Sequence, residues 1–289
     1  MASPVNPIIN LAGYRFTLMD QLEKWKAQLL TRCRELGLKG TILLAPEGIN
    51  FFLAGTRPQL DPVLSIIRSI PGLKDLTPKE SASATQPFQR MLVKIKKEIV
   101  PFGVEGVDPA HRPSPKISAR ELKTWLDENR PVTLLDVRND YEVRLGTFQQ
   151  ALNPKIDNFR DFPAAVRKLD PVLKTQPVVM FCTGGIRCEK AGPFMQKEGF
   201  EKILQLDGGI LKYFEEVGGE HFSGECFVFD ERVGVDSQLQ ETDSVLCYNC
   251  QMPLLASDLN HPHYVYEKSC HYCFHGKPKG RGNTADRLG

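Results

Sequence analysis

A chain of 289 residues, 41% hydrophobic and 25% charged, has the make-up of an ordinary folded protein and exceeds the usual size of one domain, so two or three are expected. Lys and Arg (37) nearly balance Asp and Glu (35), with a pI of about 8.1, so any affinity for a polyanion or a membrane surface must come from local patches. No run approaches the roughly 18 to 20 apolar residues of a spanning helix, and MASPVNPIIN has no charged start before a long apolar core, which predicts a soluble, unsecreted, cytoplasmic protein with no membrane partner.

In chain order, residues 8–16 read as a strand and 18–36 as a helix, with Leu18, Leu22, Trp25 and Leu29 at helical spacing and Gly37 as its stop. Two strands, 41–45 and 49–53, flank Pro46-Glu47-Gly48; a second helix covers 59–70, and 91–100 closes the unit as a strand. The order βαββαβ predicts a ferredoxin-like α+β sandwich, which by itself says little about function. Four prolines and two glycines over 101–115 predict a linker, so this domain with its linker is assigned to 1–110.

An α/β domain is assigned to 111–219. Ser118 can cap a helix running to 129, with Glu121 as its capping-box partner. Apolar runs at 132–137, 178–181 and 203–206 alternate with helical patterns near 160–169 and 189–198, the order of a mostly parallel sheet. Past Gly219 the periodicity fades, and 220–289 is left as a small cysteine-rich region with no internal repeat.

The central domain carries Cys182-Thr183-Gly184-Gly185-Ile186-Arg187-Cys188 directly after the apolar run VVMF. In an open parallel sheet ligands sit beyond the carboxyl ends of strands, so the Cys182 sulfur should face a pocket. Thr183, Gly184, Gly185 and Ile186 can curl into a nest of inward-pointing amides, and the following helix adds its positive end. Together with the Arg187 charge these lower the thiol pKa and predict a thiolate nucleophile near neutral pH. Cysteine-dependent phosphatases hold phosphate in Cys-x5-Arg; Cys182 and Arg187 enclose one residue fewer, a ring better suited to sulfur. Cys188, in the first helical turn, is a candidate resolving thiol or a packing residue.

Residues 117–218 resemble a rhodanese domain in Leu135-Asp136-Val137-Arg138, in Tyr141-Glu142 leading to Gly146-Thr147-Phe148, in the CTGGIR loop, and in Leu206-Asp207-Gly208-Gly209-Ile210. In that family the loop cysteine carries a persulfide; Asp136 and Arg138 are expected to brace the fold. With Ala45-Pro46-Glu47-Gly48-Ile49-Asn50, the segment LVKIKKEIV at 92–100 and the full CTGGIRCEK, nearly the whole chain resembles the bacterial rhodanese-containing tRNA uridine hydroxylases. The resemblance implies an oxidoreductase that converts the wobble uridine, position 34 of the tRNA anticodon loop, to 5-hydroxyuridine, with molecular oxygen as co-substrate and Cys182 essential. No organic cofactor and no two-histidine, one-carboxylate iron site is evident.

Of eight cysteines, Cys33 and Cys226 stand alone, whereas Cys247-x2-Cys250 and Cys270-x2-Cys273 lie 19 residues apart, a spacing that predicts one structural zinc ion closed by four thiolates. His261, His263, His271 and His275 are spare candidate ligands. Arg90, Lys94, Lys96 and Lys97 cluster on the strand read at 91–100, and Lys268, Lys277, Lys279 and Arg281 around the last cysteine pair; either group could track a tRNA backbone or be a solvated face. Tyr248, Tyr264, Tyr266 and Tyr272 are candidates for stacking an unpaired base. Two other readings remain: a sulfurtransferase carrying sulfane sulfur on Cys182, and a non-catalytic RNA-binding module. The two extra domains argue against the first and the intact loop against the second.

Overall fold

The structure is a computed structural model and describes residues 8–276. The backbone divides into two compact units, one through Pro101 and the other from Phe102 onward.

The first unit contains β1 (Ile8–Phe16), α1 (Leu22–Glu35), β2 (Lys39–Ala45), β3 (Gly48–Gly55), α2 (Arg57–Ser69), β4 (Lys79–Ser83) and β5 (Met91–Ile95), with sheet order β4-β1-β3-β2-β5. Helix α2 forms where the Thr56 carbonyl accepts from Gln59 and Leu60 N–H, the Thr56 N–H donates to Gln59 Oε1 at 2.8 Å, and Leu60, Val63, Leu64 and Ile67 repeat at helical spacing on the buried side. They pack on Leu11, Ile42, Leu44, Ile49, Phe51 and Leu53, alternate residues of β1, β2 and β3. The ferredoxin-like pattern holds, but its fourth strand is β4, antiparallel to β1, and not the segment at 91–100. KESAS has no apolar alternation because β4 is an edge strand without a buried residue, so its pairing is imposed by the topology. The predicted closing strand stops at Ile95 and adds to the opposite edge, parallel to β2. Lys94 lies on it; Lys96 follows it with one further ladder bond, its N–H donating to Leu44 O, and Lys97 lies beyond. The first helix is also shorter than predicted: Gln21 takes a left-handed conformation before Leu22, and Leu18 is exposed.

The second unit holds β6 (Lys116–Ile117), α3 (Ala119–Asp127), β7 (Thr133–Asp136), α4 (Asp140–Val143), β8 (Gly146–Phe148), α5 (Phe162–Val166), β9 (Pro177–Phe181), α6 (Ile186–Lys197), β10 (Lys202–Leu206) and α7 (Gly209–Val217). Ser118 caps α3, its hydroxyl accepting from Glu121 N–H at 3.1 Å. A four-stranded, all-parallel sheet runs β6-β10-β9-β7, so β9 is a central strand whose carboxyl end opens into the Cys182 loop. Val179, Phe181, Leu134 and Leu206 pack on Ile210, Tyr213 and Phe214 of α7. The helical pattern near 160–169 resolves into a short 3-10 turn and the five-residue α5. The region after Gly219 is built of two-stranded pieces: β11 (Phe222–Gly224) pairs β8, β12 (Cys226–Phe227) pairs β13 (Gly234–Val235), and β14 (Val245–Leu246) pairs β15 (Pro253–Leu254). No helix among the described residues is long and apolar enough to cross a membrane.

Candidate functional site

Cys182 directly follows β9 and has no exposed surface, and the loop folds back over it. Its Sγ accepts the Gly185 N–H at 3.1 Å. Gly185, at φ 100° in the left-handed region, is the residue that turns the chain into α6; Gly184 has no such requirement. On the other side the N-terminus of α7 holds the loop: Ile210 N–H donates to Cys182 O at 2.9 Å and Leu211 N–H to Thr183 O at 3.1 Å. Gly209, at φ 66°, lies so close that a Cβ would stand 2.3 Å from Cys182 O and 2.9 Å from Gly185 N, whereas a Cβ on Gly184 would meet nothing within 4 Å. Gly209→Ala is therefore expected to destabilise the protein by about 2–4 kcal/mol, from left-handed strain and overpacking together. Gly184→Ala should melt within about 0.5 kcal/mol of the parent in denaturant titrations; equal midpoints for the two variants would contradict this account of the loop.

The electrostatics separate Cys182 from the other buried thiols. Burial pushes Cys33 and Cys226 up to about 12. At Cys182 burial acts the same way but is outweighed by a hydrogen bond from Cys188, the Arg187 charge and the backbone N–H groups of Arg187 and Gly185, which bring it down to about 5. Cys188 moves in the opposite direction, well above the usual thiol range, through burial and its bond to Cys182, so in this pair Cys188 keeps the proton. The thiolate is the deprotonated form, so it should persist through neutral pH and be lost as pH falls through about 5. Ultraviolet thiolate absorbance, taken as wild type minus Cys182→Ser, should titrate there; a midpoint above 8 would contradict the geometry.

The Arg187 guanidinium is taken up by Glu142 while its charge still acts on Cys182. Both terminal nitrogens donate to Glu142, Nη2 to Oε1 at 2.7 Å, and the group stacks on Phe229 at 5.7 Å. Glu142, fully buried, also accepts from Asn139 N–H at 3.1 Å and from the Thr183 hydroxyl at 3.4 Å. Sequence reasoning gave Glu142 no role, because only folding brings α4 against the loop; its one signal was its place in the Tyr141-Glu142 motif. Below it, Asp136 and Arg138 form a fully buried pair at 2.7 Å, with Arg138 also donating to Gly146 O and Thr147 to Asp136. That pair ties β7 to β8, the bracing role expected of it. Ile186 and Gly184 are the half-exposed members of the loop.

The four distal cysteines converge, all Sγ atoms lying within 4.8 Å of one another, with Cys247–Cys273 at 3.9 Å, Cys250–Cys270 at 3.6 Å and Cys270–Cys273 at 3.8 Å. Sulfurs bound tetrahedrally to zinc stand about 3.8 Å apart, so the donor set fits that ion, and these contacts are far longer than a disulfide. Two of the histidines lie against aromatic rings, His263 stacked on Phe274 at 4.0 Å and His271 tilted against Tyr272 at 3.8 Å. Tyr264 and Tyr272 pack against the cysteines, while Tyr248 and Tyr266 are exposed. Arg90, Lys94, Lys96 and Lys97 belong to the first unit, with Arg90 and Lys97 exposed and the other two half-buried; Lys268 is exposed, and Lys277, Lys279 and Arg281 lie outside the described residues.

Comparison with known proteins matches residues 8–99 to the family described as UPF0176 acylphosphatase like domain and residues 118–216 to the Rhodanese-like domain. A rhodanese-like domain protein from Staphylococcus aureus has 26% identity over 34% of this chain and 90% of that one, with a TM-score of 0.30. Over much greater lengths, the tRNA uridine(34) hydroxylase of Cupriavidus necator is 46% identical, covering 93% of this chain and 98% of that protein. The tRNA uridine(34) hydroxylase of Burkholderia pseudomallei is 46% identical across 96% of each. With its acylphosphatase-like and rhodanese-like domains in the same chain, the protein belongs to the tRNA uridine(34) hydroxylase family.

Proposed function

We propose that this protein hydroxylates uridine 34 of tRNA to 5-hydroxyuridine, with Cys182 as the reacting group. The observation that carries this reading is the near-full-length identity to tRNA uridine(34) hydroxylases in a chain whose rhodanese-type loop holds a cysteine near pKa 5. A position in the anticodon loop suits such an enzyme, since an unpaired base is extruded at low cost.

The Cys182 thiolate adds to C6 of the uracil, forming a C–S bond as the C5–C6 electron pair moves toward the O4 carbonyl. C5 is then nucleophilic and bonds to one atom of molecular oxygen; the other atom leaves as water, reduced by a two-electron donor such as a dithiol together with two protons. Loss of the C5 proton restores the double bond and expels the thiolate. Gly185 and Arg187 N–H groups hold the sulfur's negative charge before addition and after release. Because Glu142 occupies its fork, Arg187 contributes its charge and its backbone N–H. Cys188 keeps its proton and uses it as a hydrogen-bond donor to the Cys182 thiolate before addition and after release. The sulfur has no exposed surface, so the half-exposed Gly184 and Ile186 side of the loop must shift to admit a base.

We assign Cys247, Cys250, Cys270 and Cys273 to one zinc ion. Four thiolates leave no open coordination position, so the metal supplies folding energy and no chemistry. The basic residues Arg90, Lys94, Lys96 and Lys97 are candidate phosphate contacts on the first unit, whose replacement should weaken tRNA binding and lower its salt dependence.

Transcripts carrying 5-fluorouridine at position 34 test the mechanism. Fluorine blocks loss of the C5 substituent, so an adduct mapped to Cys182 is expected; absence of any adduct while ordinary tRNA is hydroxylated under the same conditions rules out covalent addition. Transfer of sulfur to the nucleoside, without oxygen dependence, would instead indicate a sulfurtransferase.

A further inference from the structure

The short helix α4 has two functional sides. Glu142 takes Arg187 and Thr183, two side chains on either side of the loop's glycines. The adjacent Tyr141 points to the cysteine-rich segment. Its ring packs against the cluster of Cys247, Cys250, Cys270, Cys273, Met252 and Leu254, and it meets Phe227 edge-on at 5.4 Å. One residue past the helix, Arg144 lies over the ring of Tyr272, between Cys270 and Cys273, at 4.9 Å. Phe227 closes the circuit, because its carbonyl accepts from the Thr183 hydroxyl at 3.4 Å. A four-residue helix cannot hold its own position by propagation, so its place is set by what packs on it.

We propose that the four-cysteine segment positions the Cys182 loop, acting through Tyr141 and Glu142 on the two sides of α4. Tyr141, Arg144 and Tyr272 are thus positioning residues for the thiolate. If the Tyr141 side is left unsupported, Glu142 moves, the paired Arg187 charge and the Thr183 anchor move with it, and the sulfur loses part of what holds its negative charge. The assignment rests on Cys182 being the reactive group, and its test reads the thiol without using hydroxylation.

The experiment is the ultraviolet thiolate titration of full-length variants, each referenced to its own Cys182→Ser background. Tyr141→Ala should raise the Cys182 midpoint by about one pH unit, a tenfold loss of thiolate below the midpoint. Tyr141→Phe, which keeps the ring, should titrate as wild type. Tyr272→Ala, which touches no loop residue, should shift the midpoint in the same direction by a smaller amount. A merely structural role for the cysteine segment lowers melting temperature in these variants and leaves the midpoint in place; wild-type midpoints in folded Tyr141→Ala and Tyr272→Ala would overturn the proposal. If Tyr141→Ala does not fold, Tyr272→Ala decides alone, an unshifted midpoint counting against it.

Discussion

Cys182→Ser is expected to lower 5-hydroxyuridine formation by about 10³-fold or more, while melting within about 1 kcal/mol of wild type. Serine is nearly isosteric, and its oxygen can still accept the Gly185 N–H that the sulfur accepts at 3.1 Å. What disappears is the low-pKa nucleophile, since a hydroxyl cannot be brought to a neutral-pH anion by the few donors of this loop. Because the loop is held by Ile210, Leu211 and Gly209 through backbone contacts, the side-chain change leaves those supports intact. Nucleoside mass spectrometry of tRNA incubated in air, and again without oxygen, gives the result; comparable product from the serine variant would remove Cys182 from the chemistry.

Metal removal is expected to have the second-largest effect. Among the described residues the cluster around the four thiols buries Met252 and Leu254, with Val245, Leu259, Tyr264 and Tyr272 partly buried against it, too little apolar surface to fold alone. Structural zinc in comparable peptides contributes on the order of 10 kcal/mol or more, and an ion held by these four thiolates would stand in for a core. Chelation, or Cys270→Ser, should therefore open 245–276 to hydrogen exchange first, leaving the first unit protected. Elemental analysis should find one zinc per chain. Metal-free protein with native exchange protection over 245–276 would contradict a structural ion.

Where sequence and structure part company, the dividing line is whether a contact is local. Apolar period and caps are local, so β1, α2, β9 and α6 were legible, as were Ser118 over Glu121 and the placement of Cys182 at a strand end. Zinc-like spacing was legible because Cys-x2-Cys imposes its knuckle over four residues. The polar edge strand β4 was not, since nothing in KESAS marks it as a strand until β1 lies beside it.

The same holds at the site. From the sequence alone follow the candidate nucleophile Cys182, the glycine turn and a nearby arginine, because these lie within six consecutive residues. Tertiary structure alone decided that Arg187 pairs with Glu142, 45 residues away, that Gly209 buttresses the Cys182 carbonyl, and that Tyr141 reaches the cysteine cluster. Each joins segments far apart in the chain, and which of the many buried charges and rings meet is fixed by how β7, β9 and α7 pack, a choice no local pattern encodes.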